Sequence, residues 1–478
     1  RTFPLTRQCS RTRNTMKNQA QLARQRAAHP LRTLWVGCAL MAGLLLLASP
    51  NYRWDTDKGD SPYGADFLQD WTAASMIGAG EGGKLYDATT FDAWQHDPQK
   101  IGFSWNSDSY YPTVYPPAYY WLCTPLHWIE YRWGVRLWLG LLLGALCAAA
   151  AVVERGLRLG GCGSGAGQRA SIGSAKDRGS DRESAADVFV REKITAQGLL
   201  FAERTTTLKT LTSVNWFWPA MLLFPPVLLG LTMGQKGTLW LLLFSATWLL
   251  CKRRQFFLAG LVFGLLSVKP TLFFLLPLVM LRYRQWHFVV GASLSWSTLW
   301  LSAAAMLPTN VWSDFLSVAR SAAAYHQHGG YQLHWACNLQ ALLGNLPTWT
   351  PAWASGLILA GLVVYVLSHI IRRAKFDWDD PLQWAQVLLA TCLLSPHFYA
   401  YDLVVLLLPA RALWSTQRRS AVILLTAVWA GMLASQPCLD TVGLPLLPVV
   451  LLATLYSLAT VTPAHSSVRK GVNGNPAP

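Results

Sequence analysis

Five long apolar runs, at 33–49, 133–153, 286–306, 352–371 and 444–462, decide most of what this chain can fold into. About 20 residues of helix cross the ~30 Å hydrocarbon core of a bilayer, and runs near that length are read as spans. Only 13% of the 478 residues are charged, against roughly a quarter in ordinary soluble domains. The expected fold class is an all-α polytopic membrane protein.

Charge gives the orientation. A net charge of +16 in a soluble protein would point to nucleic acid, but here its distribution gives a plainer account. Residues 1–50 hold eight Arg or Lys and no acid, whereas 51–131 hold eleven acids and four Lys or Arg. By the positive-inside rule the N-terminus is cytoplasmic and 51–131 faces outward. Nucleic acid is excluded as a partner. Residues 1–32 read as a basic cytoplasmic leader, with Met16 a candidate start. The run 33–49 lacks a small-residue cleavage site and reads as a retained span. Nine scattered cysteines without CxxC spacing give neither a disulfide framework nor a zinc site. The outward segments contain no Asn-x-Ser/Thr acceptor, which favours a bacterial inner membrane.

Residues 33–153 thus form a first span, an acidic outward loop and a second span. The Gly-, Ser- and Arg-rich segment 154–213 cannot bury enough apolar surface to order itself and reads as a flexible loop. Residues 214–463 form the remaining bundle and 464–478 a cytoplasmic tail. Basic clusters at 252–254, 282/284, 372–373, 418–419 and 469–470 mark cytoplasmic edges. The segments between them then return as hairpins, 256–281 with Lys269-Pro270 at its tip and 382–414 with "SPHFYAYD" (395–402) at its tip. The proline-broken, aromatic 112–129 reads as an interfacial helix, and 308–350 as a second outward loop. The expected count is nine to eleven spans, some short or broken. Broken half-spans ending on one face point to a cavity there.

The outer face then gathers Asp66, Asp70, Gln235, Lys236, Lys269, His326, His328, His334, His397 and Asp402. Ionisable residues at membrane depth default to functional hypotheses. Each has a bland rival. Asp66 could cap a helix or sit in solvent, Lys269 could snorkel to headgroups, and Asp402 could cap the following helix. Gly234-Gln235 could be a tight turn. The three loop histidines read as exposed decoration, and no metal site is expected. In the functional reading Asp66 and Asp70 share a helix face, and a carboxylate in reach of a hydroxyl serves as general base.

The order of motifs resembles glycosyltransferase family 87. It runs through Asp66-Phe67, Trp71, Ala73-Ala74, Leu85-Tyr86-Asp87, Tyr115-Pro116-Pro117, Gly234-Gln235, "LAGLVFGLLSVKP" (258–270) and "SPHFYAYDL" (395–403). It covers roughly residues 60–415, interrupted by 154–213. The resemblance implies a GT-C-like helical bundle and a hexosyltransferase, mannosyltransferases being the best-known members, that uses a polyprenyl-phosphate sugar donor. It assigns Asp66 as catalytic base and matches Lys269 to a Lys-Pro motif. Asp70 stands where relatives carry an apolar or aromatic residue, so it falls back to a supporting or solvated position. Gly237 stands where an asparagine is frequent.

The expected reaction takes a hexose from the lipid phosphate to a hydroxyl of a glycan or glycolipid acceptor, with inversion and without cofactor or metal. Lys269, with Lys236 or His397, would stabilise the departing phosphate. Asp70, Tyr86, Tyr115, Gln235, Lys236, Lys269, His397 and Asp402 are the candidate substrate-binding residues. The rival classes are a flippase of lipid-linked sugars, since broken helices also suit transporters, and a non-catalytic envelope-assembly subunit.

Overall fold

The computed structural model describes residues 64–105, 110–161, 217–325, 333–344, 352–371, 376–395 and 397–460. The leader, the run 33–49, most of the low-complexity segment, the tail, His326 and His328 lie outside the described residues. Those described form helices joined by turns. Their β pairing is an isolated bridge between Ala336 and Tyr399.

Three helices are long and apolar enough to cross a bilayer: Tyr131–Leu159, Trp286–Met306 and Arg418–Val442. Six more apolar helices, among them Gly237–Lys252, Pro381–Leu394 and Leu446–Thr460, run 10–17 residues. Length therefore supports three full spans and does not establish the expected nine to eleven. The Arg418–Val442 helix is not among the five runs, because Gln436, Pro437 and Asp440 break its apolar pattern. It nevertheless continues through Pro437 to a left-handed Gly443. At 256–282 the expected hairpin is present. The helix Phe256–Gly264 tightens into the 3₁₀ turn Leu265–Val268, and the chain restarts at Pro270. The segment 112–129 holds the short helix Pro117–Cys123 and the 3₁₀ turn Thr124–Trp128, neither long enough to cross.

One boundary moves. The segment expected to be flexible from 154 begins as helix, since Tyr131–Gly161 is continuous. A bidentate ion pair holds it there, with Arg411 Nε and Nη2 at 2.6 and 2.9 Å from the Glu154 carboxylate. The Trp218 indole donates to the same carboxylate at 2.9 Å. A planar guanidinium matched to both oxygens makes a strong, directional contact. It fixes the helix end that a composition argument would leave loose.

Three helices end by one device. At Gly234, Arg254 and Arg284 the chain turns left-handed (φ 68°, 60° and 59°). The glutamine that follows then donates its backbone N–H back into the helix, Gln235 to Gly230 at 2.7 Å, Gln255 to Leu250 at 2.9 Å and Gln285 to Met280 at 2.8 Å. This is the Schellman closure, which satisfies the last carbonyls and reverses the chain within two residues. It lets short helices follow one another as hairpins. The short helix Phe256–Gly264 packs tightly on the long Trp286–Met306, because a Cβ on Gly260 would lie 2.1 Å from the Phe288 carbonyl, and one on Gly291 2.3 Å from that of Phe257. Small residues at such crossings let helix backbones approach where lipid supplies no hydrophobic drive. The helix Gly237–Lys252 runs through the core with Trp240, Leu241, Phe244 and Trp248 buried. Its N-terminal end abuts the candidate site.

Candidate active site

The site begins with two glycines. Gly64 and Gly234 both adopt φ 68°, where a side chain is strained. They also touch, since a Cβ on Gly234 would lie 3.2 Å from the Gly64 carbonyl oxygen. The Asp66 N–H donates to the Met233 carbonyl at 3.1 Å, and the Trp138 indole donates to the Gly234 carbonyl at 2.8 Å. The start of the helix Ala65–Gly78 is thereby locked onto the Gly234-Gln235 turn. This contact places Asp66, in the first helical turn, beside Gln235. The Gln235 side-chain amide donates to the Asp66 carboxylate.

Asp70 lies one helical turn on and points inward. It is fully buried, which removes the solvated alternative and leaves the supporting one, because Phe67, Leu68, Gln69 and Trp71 around it are buried too. Its partner is Lys236, itself fully buried, with Nζ 2.9 Å from the carboxylate. The ammonium also lies over the rings of Tyr115 and Tyr119, at 4.5 and 5.3 Å from their centroids. Aromatic faces add to the stabilisation of a desolvated cation.

The third carboxylate comes from the far end of the chain. Asp402 is fully buried in the 3₁₀ turn Ala400–Leu406, and Lys269 Nζ donates to it at 2.5 Å. Asp402 also reaches back to the Tyr399 N–H at 3.5 Å, closing a capping box. The capping reading of Asp402 therefore holds alongside the ion pair. Lys269 is 7% exposed, so it does not snorkel to headgroups. Its Nζ lies 5.8 Å from the Tyr401 ring centroid. The two assemblies meet where a Cβ on Gly237 would stand 2.7 Å from the Tyr401 carbonyl. The glycine is required by this close approach.

Asp70 and Asp402 thus each hold a lysine. Asp66 holds an uncharged amide and is only partly buried. Its helix precedes the described spans. Burial pushes the Asp66 carboxyl up to about 6, against the opposing pull of Lys236 and Gln235. Such a group is ionised at neutral pH yet basic enough to accept a proton.

The segment 110–116 forms a strap beside this cluster, held by Tyr86 and by Gln69, Gln95, Thr113 and Tyr120, which sequence reasoning did not single out. The Gln69 amide donates to the Pro112 carbonyl at 2.6 Å and to the Tyr120 hydroxyl at 2.7 Å. Gln95 brackets Tyr111 through both of its amide atoms. Thr113 donates to the Leu85 carbonyl at 3.1 Å. Tyr86 spends its hydroxyl on the Tyr115 carbonyl at 2.7 Å. Tyr115 thus faces the cluster, while Tyr86 secures the strap behind it. The signal in sequence is the density of Gln and Tyr around an apolar helix, since buried amides and hydroxyls need partners.

Two further expected residues flank turns of the bundle. His397 is half-buried in the turn before Tyr399. His334 sits in the 3₁₀ turn Leu333–Trp335, and its carbonyl accepts the Ser435 hydroxyl. Among the described residues, no three His, Cys, Asp or Glu side chains converge as a metal-ligand set.

The model of glycosyltransferase family 87 matches residues 113–396, more than half of the chain. The matched segment contains Tyr115, Gln235, Lys236 and Lys269. It stops short of Asp66, Asp70 and Tyr86 on one side and of His397 and Asp402 on the other. Comparison with curated proteins and with solved structures gave no match. The chain belongs to glycosyltransferase family 87 and is a membrane glycosyltransferase.

Proposed function

From that membership we propose that the protein moves a hexose, with mannose the leading candidate, from a polyprenyl-phosphate donor to a hydroxyl of a glycan or glycolipid acceptor. The active site opens on the outer face of the cell membrane, and Asp66 is the general base. One observation carries this reading: of the three carboxylates in the cluster, Asp66 is the one without a lysine at contact distance.

Asp66 accepts the acceptor's hydroxyl proton while that oxygen attacks the anomeric carbon. The bond from that carbon to the donor phosphate oxygen breaks in the same displacement, and the configuration inverts. The donor carries its own activated leaving group, so no further cofactor is required. Lys236 is fully buried, whereas Lys269 retains a little exposure. The departing phosphate is therefore assigned to the side of Lys269 and His397, where cationic charge meets the developing anion. Gln235 orients Asp66, and Tyr115 walls the sugar pocket.

The test is Asp66→Asn in membrane-inserted protein, with purified polyprenyl-phosphate mannose as donor and release of polyprenyl phosphate as readout. The expected result is loss of both transfer and release. Full activity in this variant overturns the base assignment. Wild-type protein that leaves the donor intact while moving it across the bilayer overturns the enzymatic reading.

A further inference from the structure

Lys236 stands between two carboxylates on one helix. It follows Gln235, whose amide already touches Asp66, and its own ammonium contacts Asp70, four residues further along. A lysine stem is long and flexible, and the ammonium has three donors to place. Asp70 is the anion that draws it away from the proposed base, with the Tyr115 and Tyr119 rings beside the ammonium. Both members of the pair are fully buried, so the aqueous screening that weakens a surface charge is missing.

We propose that Asp70 is a positioning residue for Asp66: it ties Lys236 into a buried ion pair and so keeps that ammonium from pairing with the base. The proposal rests on the reading of Asp66 as general base. Without Asp70, Asp66 is the carboxylate left on that helix for Lys236, and it already feels the field of this ammonium more than that of Lys269. An ammonium in contact with Asp66 holds it ionised and makes it a weaker proton acceptor.

The other groups facing Asp66 do not substitute for this restraint. Lys269 is engaged by Asp402. Gln235, Tyr115 and Tyr401 are uncharged at working pH. Asp402 already holds Lys269 and the Tyr399 N–H. The field of Lys236 at Asp66 outweighs that of Asp70, so removing both charges raises the proton affinity of Asp66.

The experiment is the pH profile of kcat/KM for transfer from polyprenyl-phosphate mannose, using the full chain in lipid nanodiscs. Asp70→Asn is expected to move the acidic limb down by about one pH unit. It is also expected to lower the plateau about 10-fold, because the base is weaker. Asp70→Asn/Lys236→Met, which removes both charges of this pair, is expected to move the limb up. A brace that only held the fold would change the yield of folded enzyme and leave both limbs at the wild-type position.

Unmoved limbs, or limbs that move in the same direction, overturn the proposal. Where Asp70→Asn does not fold, the double variant decides alone, and a limb that stays in place overturns it. Asp66→Asn run alongside separates the two readings. An active Asp66→Asn sinks the base itself. An inactive one together with unmoved limbs sinks only the positioning role.

Discussion

Asp66 and Asp402 enter the same cluster from opposite ends of the chain, and they are partnered differently. Asp402 is sealed in a 3₁₀ turn, with Lys269 at 2.5 Å and the Tyr399 backbone N–H at 3.5 Å on the same carboxylate oxygen. Asp66 stands at the open start of a helix, touched by a side-chain amide and only partly buried. A carboxylate with a full counter-charge has little reason to change protonation, so it serves architecture. A carboxylate buried enough to be basic and left without a cation is poised to accept a proton. Burial alone does not separate the two roles; the nature of the partner does.

The largest effect expected from breaking the comparison is on turnover. Asp66→Asn keeps the shape and removes the base, and transfer should fall about 10²- to 10⁴-fold. In wild-type enzyme kcat/KM should rise with pH through about 6, as Asp66 loses its proton, and level off above. Rates that are flat from pH 5 to 8 would remove Asp66 from the chemistry.

Lys269→Met should act on stability as well as on the departing phosphate. It strands Asp402 as a buried, unpaired charge, which costs about 3–5 kcal/mol. The midpoint of thermal unfolding, followed by tryptophan fluorescence in detergent, should drop accordingly. Lys269→Met/Asp402→Asn should recover most of that loss, because a neutral pair carries no desolvation penalty. A single variant as stable as wild type would show that the pair is not architectural.

Gly237→Ala probes the seam between the two halves. The new methyl would meet the Tyr401 carbonyl at 2.7 Å and Val404 at 2.8 Å, both on the turn that carries Asp402. Overpacking of this kind typically destabilises by about 1–3 kcal/mol. Unfolding midpoints should fall by less than in Lys269→Met, and turnover should fall further than the lost fold explains, since the halves must meet to form the site.

Sequence carried the residue types and lost the pairings. The apolar runs identify helices in a membrane, and Lys269-Pro270 and 395–402 were legible as hairpin tips because proline and polar residues interrupt apolar helices there. The Asp402–Lys269 contact joins residues 133 positions apart, a relation that neither periodicity nor local spacing encodes. Asp70 stayed open between a supporting and a solvated position for a physical reason. Aspartate is rarely buried without a partner, and its partner, Lys236, lies far away in sequence. Span number is likewise not fixed by local pattern, since the length of helices of 10–17 residues does not say whether they cross. Gly237 could not be read as a packing requirement before Tyr401 was known to face it.

The smallest effect should come from Gln235→Leu, and its pH dependence sharpens the contrast between Asp66 and Asp402. The Gln235 amide favours the ionised form of Asp66, so its loss pushes that carboxyl above about 6 and moves the acidic limb of kcat/KM upward. The sign for stability follows. The folded-state value already exceeds the ordinary 3.8, so ionising Asp66 opposes folding increasingly between those two values. In Gln235→Leu that window extends to higher pH. The variant should match wild type below about pH 6 and be less stable by about 1 kcal/mol at pH 8, the usual worth of a partly solvated hydrogen bond. Lys269→Met should show its larger loss throughout the neutral range, because Asp402 gives up an ammonium there and not an amide. Equal losses from the two truncations at pH 8 would mean that Asp66 and Asp402 are held alike, and the distinction between base and brace would fall.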